Sequence, residues 1–401
     1  MKRLLLLAAA VGSGVGAYWS LRLAYGEILY SLGTAESVAR AEGLAPGDAQ
    51  YGKRGAELAE AAGLDAEEAG EALEAVLRDK PGDAETLIKL GLRAELRNDF
   101  AAAERSLLEA ARQDRGYDPR WSLANYYFRR QEGEKFWKWA RAACETGYGP
   151  ALFRLLWNYT EDSGKILDRA IAGRGEILRQ YLEFLSWGPH WESGDAVAKR
   201  ILERPETEDA PALLGYCDRL LEARRGRAAL ELWNALGRGK LSGFGELDPE
   251  RGPVNGEFAT SPTNRGFDWR LAGVEGVTAS HDMPGVRLSF SGAEPEACEP
   301  LWQYAMLEAG ARYQMRFAYA TSGVAEGSGL RWRVEDLSGK AAVIAESEDL
   351  AHEGWREGAV EFTTPAGMLL GRVVLSYRRA PGTTRTEGSI GLRSISIGRV
   401  N

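Results

Sequence analysis

At 401 residues and 43.8 kDa, the chain is about twice the usual length of one compact domain or more, so at least two domains are expected. A composition of 44% hydrophobic and 27% charged residues excludes a disordered tail or a collagen-like fibre. The net charge of -8 argues against a nucleic-acid partner, whose phosphates are normally met by a net basic surface. Cys144, Cys217 and Cys298 are too scattered for a zinc ribbon or a redox pair. His190, His281 and His352 lack a spacing that puts two imidazoles on one face. No metal-thiolate or histidine-based site is expected.

At the amino terminus, Lys2-Arg3 precedes eighteen uncharged residues, Leu4 to Leu21, and the next charge is Arg22. Such a run is an export or membrane signal. As a helix it would span about 27 Å at about 1.5 Å per residue, against a hydrocarbon core of about 30 Å, and Gly12, Gly14 and Gly16 weaken it. An uncleaved anchor over 1–22 would keep Lys2 and Arg3 in the cytoplasm and set Tyr18 and Trp19 at the interface. A cleaved signal peptide would exit at Val15-Gly16-Ala17, and a buried helix of the fold is a third reading. The first two export the body, either anchored in the inner membrane and facing the periplasm or secreted into it. An odd cysteine count, with Cys144 and Cys217 among apolar helical neighbours, predicts buried free thiols despite export.

Residues 23–237 carry a helical texture punctuated by Pro46-Gly47-Asp48 and Pro81-Gly82-Asp83, 35 residues apart. A turn ending in an Asp cap starts a helix, and a recurrence near 34 residues is the length of one helix-turn-helix unit. From the second turn, Leu87, Leu90-Gly91 and Ala94 lie on a first helix, Asn98-Asp99 forms the turn, and Ala103, Leu107 and Ala110 lie on a second. Small residues allow close approach and the leucines fill the seam. This pattern resembles the tetratricopeptide repeat over 84–117, except that Arg115 stands where that repeat has proline. A third unit begins at Asp118-Pro119, a weaker first one covers 47–80, and further helical pairs of degenerate register continue through 149–237. The resemblance implies a solenoid whose groove is lined by the first helices, here Glu85, Ile88, Glu95, Asn125 and Arg129. These would meet a peptide or protein partner, or be ordinary solvated positions. Phe136, Trp137, Trp139, Phe153 and Trp157 are expected to pack between helices.

Around Gly237 the texture changes, and 238–253, rich in Gly and Pro, is expected to be a linker. Beyond it, short alternating runs predict an antiparallel sandwich of about eight or nine strands. Val286, Leu288 and Phe290 share a face, as do Tyr313, Met315, Phe317 and Tyr319, then Leu330, Trp332 and Val334, then Val373, Leu375 and Tyr377. The fold class is thus multidomain α then β: a membrane or signal helix, a helical solenoid and a two-sheet jelly roll.

Residues 254–401 resemble jelly-roll carbohydrate-binding modules of the galactose-binding-like type. The likeness rests on Val254-Asn255-Gly256-Glu257-Phe258, the Leu301-to-Leu307 strand with Gln303, Ala309-Gly310 before Tyr313, the Trp355 strand, and Gly388-Ser389-Ile390 to Ile395-Ser396-Ile397. The resemblance implies a sugar stacked on Trp302, Tyr304 or Trp355, with Gln303, Arg331 and Arg333 as polar partners. Core packing is the alternative for each tryptophan, above all for Trp332 and Trp269. It also implies a structural calcium, but Arg393-Ser394 stands where the family's Asp-Asp pair would be, and no cofactor is expected. Exported helical repeats followed by such a module resemble envelope proteins that accompany polysaccharide synthesis or export in bacteria. Three functions follow: a non-catalytic envelope scaffold binding protein and glycan, a glycan-active enzyme using carboxylates such as Asp268, Glu335 and Asp336, or an assembly factor whose β domain docks on the helices.

Overall fold

The computed structural model describes residues 2–45, 48–61, 66–146, 149–171, 175–248, 251–281, 285–339 and 341–400, with side chains from residue 11 onward except 59–60 and 66–69. Among the described residues fourteen α-helices precede two antiparallel sheets. The chain forms two compact units, Met1–Ala172 and Gly173–Asn401, so the division falls inside the stretch read from sequence as one helical domain.

In the first unit, α1 (Lys2–Ser31) carries the apolar run and continues well past residue 22. Its last turns belong to the fold: Leu29 packs with Ala41, Ala45 and Tyr51, and the Arg22 guanidinium donates to the Gly43 carbonyl at 3.2 Å. Val11, Val15, Tyr18, Trp19, Leu21 and Ile28 stand exposed. No helix among the described residues is long and apolar enough to cross a membrane, and the leucine-rich start of the expected anchor, to Ala10, lies outside the described side chains. A short helix, α2 (Ala35–Leu44), is capped by Thr34, and the paired helices follow: α3 (Ala49–Ala61) with α4 (Ala66–Asp79), α5 (Ala84–Leu96) with α6 (Phe100–Gln113), and α7 (Tyr117–Arg129) with α8 (Gly133–Cys144). The unit closes with α9 (Pro150–Tyr159) and α10 (Ser163–Ile166), which runs into a π-helical turn.

The pairing follows from the turn chemistry. Asp83 caps α5 by accepting from the Thr86 N–H at 3.0 Å, and Asp99 caps α6 by accepting from Ala102 N–H at 2.9 Å. Asn98 reverses the chain between them with a left-handed φ of 63°. At Gly91 a Cβ would stand 2.8 Å from Leu107 Cγ, so α5 and α6 approach more closely than any side chain there would permit. Leu87, Ala103, Leu107 and Ala110 are buried in that seam as expected. The earlier Pro46-Gly47 turn lies outside the described residues. Phe136, Trp137, Phe153 and Trp157 are buried between helices and Trp139 is half-buried.

The second unit opens with α11 (Gly175–Trp187), α12 (Gly194–Leu202), α13 (Ala210–Glu222) and α14 (Gly226–Arg238). Among the described residues eleven strands follow, more than the eight or nine expected because β1 (Arg251–Gly252) and β2 (Arg270–Leu271) are only two residues each. The others are β3 (Val277–His281), β4 (Val286–Ser291), β5 (Ala297–Met306), β6 (Arg312–Ser322), β7 (Leu330–Asp336), β8 (Ala342–Glu346), β9 (Arg356–Thr363), β10 (Leu370–Arg378) and β11 (Glu387–Arg399). One sheet has the order β3-β4-β11-β6-β9 with β1 on β11; the other has the order β2-β5-β10-β7-β8. All four alternating sets read from the sequence point into the core between the sheets, together with Trp269 and Trp332.

Helices α13 and α14 join this unit because they cover part of the five-stranded sheet. Gly226 begins α14 against the outward side of that sheet, where a Cβ would stand 3.2 Å from Met306 Sδ and 3.3 Å from Leu370 Cβ. Trp233 packs edge-on against Phe267 and stacks with Phe244. The carboxylate of Asp218 on α13 receives the Gly266 N–H at 2.7 Å and the guanidiniums of Arg265 at 3.1 Å and Arg270 at 2.6 Å. Cys144 and Cys217 are buried free thiols, and burial pushes the Cys144 thiol up to about 12, far from a reactive thiolate.

Candidate binding sites

The first helices of successive pairs do form one row. Lys53 on α3 reaches Glu85 on α5 at 2.7 Å, Lys89 on α5 reaches back to Glu57 at 2.8 Å, and Arg129 on α7 grips Glu95 on α5 through two bonds of 2.8 and 2.6 Å. Two of the expected groove residues, Glu95 and Arg129, are thus spent on each other. Asn125 turns inward along its own helix, donating to the Trp121 carbonyl at 3.1 Å, and Ile88 is half-buried. What the row leaves open is an apolar cleft of about 230 Å³ floored by Ala56, Leu73, Leu92 and Leu96 and rimmed by Lys53, Glu57, Lys89 and Arg93. Leu92 and Leu96 are exposed. Beneath the rim, burial opposes the charge of Asp83, but hydrogen bonds from Thr86 and Lys53 outweigh it and hold the carboxyl below the usual range.

The five-stranded sheet places Trp302, Tyr304, Arg331 and Arg333 on its outward face, but it does not leave them free for a sugar. Arg270 lies 4.9 Å from the Trp302 ring and 4.8 Å from the Tyr304 ring, and Arg372 is 5.7 Å from Trp302. Both rings carry cations, as Trp355 does; what closes this face is that both rings are half-buried and that Arg270 and Arg372 are themselves fixed by carboxylates. Arg331 binds Asp349 at 2.6 Å and Glu346 at 3.3 Å, while Arg333 and Arg372 share Glu335 and bind Glu299 at 2.9 Å each. Gln303 corrects the expectation outright. It alternates with Trp302 and Tyr304, so it points to the opposite side of β5, where it is fully buried and donates to the Val254 carbonyl at 2.8 Å.

The carboxylates considered for catalysis do not converge. Asp268 is fully buried and occupied by Thr263 and Asn255, which makes it a loop-forming group. Glu335 and Asp336 are consecutive in β7 and point to opposite faces of the sheet. A calcium at Arg393-Ser394 does not fit either, since Arg393 brings a positive charge and the Ser394 hydroxyl donates to Glu257 at 3.2 Å. Among the described residues no three acidic, histidine or cysteine side chains are placed to hold a metal.

Trp355 belongs to the other sheet. It sits just before β9, 46% exposed, with its ring 3.5 Å from the point where a Gly391 Cβ would be. The Arg393 guanidinium stacks on it at 3.9 Å. The outward residues around it are small: Ala318 and Ala320 on β6, and Ser389 and Gly391 on β11. Next to this floor runs a polar trough of about 500 Å³ lined by Glu257, Gln314, Arg316, Glu357, Ser394 and Ser396 among others. A bulge shapes it. The β11 register slips between Arg393 and Ser396, with Ser394 in the left-handed region at φ 55° and the Ile395 N–H donating to the Gly256 carbonyl at 2.9 Å. The slip lets Leu392 and Ile395 both face the core, and it leaves Ser394 beside Arg393 toward the trough.

Of the six sugar candidates, the structure thus gathers Trp302, Tyr304, Arg331 and Arg333 on a half-covered face, buries Gln303, and isolates Trp355 on the open one. Sequence reading missed Arg393, Gln314 and Arg316. The usable signal was the row of small outward positions in Ala318, Ala320, Ser389 and Gly391, where a solvated strand face usually carries long polar side chains.

No protein-family model and no curated protein matches the chain. Among solved structures it is similar to a carbohydrate-binding module designated CBM4, with 12% identity and a TM-score of 0.29 over 36% of this chain and 98% of that one. It is also similar to YrrB, a TPR protein with an unusual peptide-binding site, with 14% identity and a TM-score of 0.26 over 51% and 92%. A third is the N-terminal cellulose-binding domain of Cellulomonas fimi β-1,4-glucanase C, with 14% identity and a TM-score of 0.24 over 33% and 89%. Similarity at these values leaves the function of this chain to its own geometry.

Proposed function

We propose that this is a non-catalytic binding protein of the cell envelope in which the open face of the six-stranded sheet takes a glycan and the helical row of the first unit takes a protein segment. The observation that carries the glycan reading is Trp355: an exposed indole over a glycine, flanked by a floor of small residues and by a trough of amide, guanidinium, carboxylate and hydroxyl groups. A pyranose stacks its apolar face on such a ring and hydrogen-bonds its hydroxyls to such a trough. The cleft with Leu92 and Leu96 supports the protein reading, because a pair of exposed leucines between charged rims suits an amphipathic segment. Binding of the full-length protein to a glycan array, lost in Trp355→Ala, and capture of a partner lost in Leu92→Ser/Leu96→Ser, would support the two halves. An inert protein in both assays would remove them, and turnover of a bound glycan would overturn the non-catalytic reading.

The assembly-factor reading has its own support in the covered five-stranded sheet, and both roles fit one chain: one sheet docks on helices while the other stays open. For localisation we propose export, with α1 holding the protein at the inner membrane facing the periplasm. The exposed apolar side chains from Val11 to Ile28 support this. Fractionation with protease accessibility of intact spheroplasts tests it, and a protected body released with the cytoplasm would contradict it.

A further inference from the structure

The two outward faces of the sandwich treat their arginines differently. On the five-stranded face Arg270, Arg331, Arg333 and Arg372 each carry a carboxylate partner. On the six-stranded face, Arg312 apart, which pairs with Glu361 at 2.6 Å, Arg316 is held by the amide oxygen of Gln314, accepting at 2.7 Å, and Arg393 by the π face of Trp355. Neither forms an ion pair with a carboxylate among the described residues. Both are nonetheless positioned, Arg316 along the trough and Arg393 on the very ring that offers the stacking surface.

We infer that the ligand of this face is an acidic sugar, one carrying an isolated carboxylate among neutral units; this rests on the glycan reading of the Trp355 face. A guanidinium presents paired N–H donors that match a carboxylate bidentately, and a charge-assisted bond of that kind is stronger than one to a hydroxyl. Arg393 lies on the Trp355 ring, so a sugar that stacks on that face displaces the guanidinium, which has no carboxylate partner among the described residues to hold it back, toward the sugar's acid group. Glu257 and Glu357 line the same trough. They accept hydrogen bonds from hydroxyls and repel further negative charge, which selects against a polymer acidic at every unit and in favour of sparse acid groups.

The test is a printed array of matched oligosaccharides: each neutral chain, the same chain bearing one uronate, and an all-uronate chain of equal length. The full-length protein is compared with Arg393→Gln, Arg316→Gln and Trp355→Ala, each checked for an unchanged melting temperature. Expected is a preference of tenfold or more for the singly acidic member of a pair, weakened by salt, erased by Arg393→Gln and lost with all binding in Trp355→Ala. Equal binding of the neutral and acidic members, or a preference that survives Arg393→Gln and Arg316→Gln together, overturns the inference and leaves the glycan reading standing. Absence of binding to every member overturns both.

Discussion

The two outer faces of the sandwich are built from strands of the same alternating kind yet have opposite fates. The five-stranded sheet presents Trp302, Tyr304 and four arginines, and all are engaged: the rings by guanidiniums, the guanidiniums by carboxylates, and the Met306–Leu370 end by the start of α14. The six-stranded sheet presents one exposed tryptophan over a floor of small residues; Arg312 there pairs with Glu361, whereas Arg393, which lies on that tryptophan, and Arg316 lack a carboxylate partner among the described residues. Aromatic and basic composition does not distinguish a binding face from a docked one. What distinguishes them is whether the polar groups have already been satisfied from within the chain.

If the five-stranded face is a docked interface, damage there is costly. Asp218→Ala leaves Arg270 half-sunk without its anion and is expected to cost about 3 kcal/mol or more in denaturant unfolding of the intact protein. A change within about 0.5 kcal/mol, as for an ordinary surface site, would mean the clamp is incidental. Gly226→Leu overpacks the contact with Met306 and Leu370 and is expected to cost about 1–3 kcal/mol. On the open face, Ser396→Ala should move stability by no more than about 0.5 kcal/mol.

The helical unit offers the same contrast in charge. Asp83 is buried, caps α5 and is held below its usual pKa, so Asp83→Ala is expected to cost about 1–2 kcal/mol near neutrality. A carboxyl whose folded pKa is depressed adds stability above its unfolded value, near pH 4, and loses that contribution as pH falls toward the folded value. The gap between wild type and variant should therefore narrow below about pH 4 in a series of urea titrations. The Glu95–Arg129 pair is half-exposed, and Glu95→Gln is expected to cost only about 0.2–1 kcal/mol, less still at high salt.

Much of the architecture was legible because it depends on local pattern. Period-two alternation marked the core sets of β4, β6, β7 and β10, and Asp83, Asn98-Asp99 and Gly91 located a helix pair to the residue. The division of the chain was not legible, because it rests on Asp218 meeting Arg270 and on Gly226 meeting Leu370, contacts between segments far apart in sequence whose residue types are unremarkable on their own. The candidate site was half legible. Trp355 was identified by its aromatic character, and so were Trp302 and Tyr304, which the same reasoning could not separate from it. Gln303 was misplaced although strand parity alone puts it opposite its two aromatic neighbours. Arg393 came into view only with the bulge at Ser394, which no alternating pattern contains.

The measurement that bears most directly on the contrast between the faces is a parallel comparison of Trp302→Ala and Trp355→Ala, each scored for glycan-array binding and for unfolding free energy. Trp302→Ala is expected to lose about 2 kcal/mol or more of stability and keep its binding, whereas Trp355→Ala keeps its stability and loses binding. Binding abolished by Trp302→Ala at unchanged stability, with Trp355→Ala still binding, would place the ligand on the docked face and contradict the assignment.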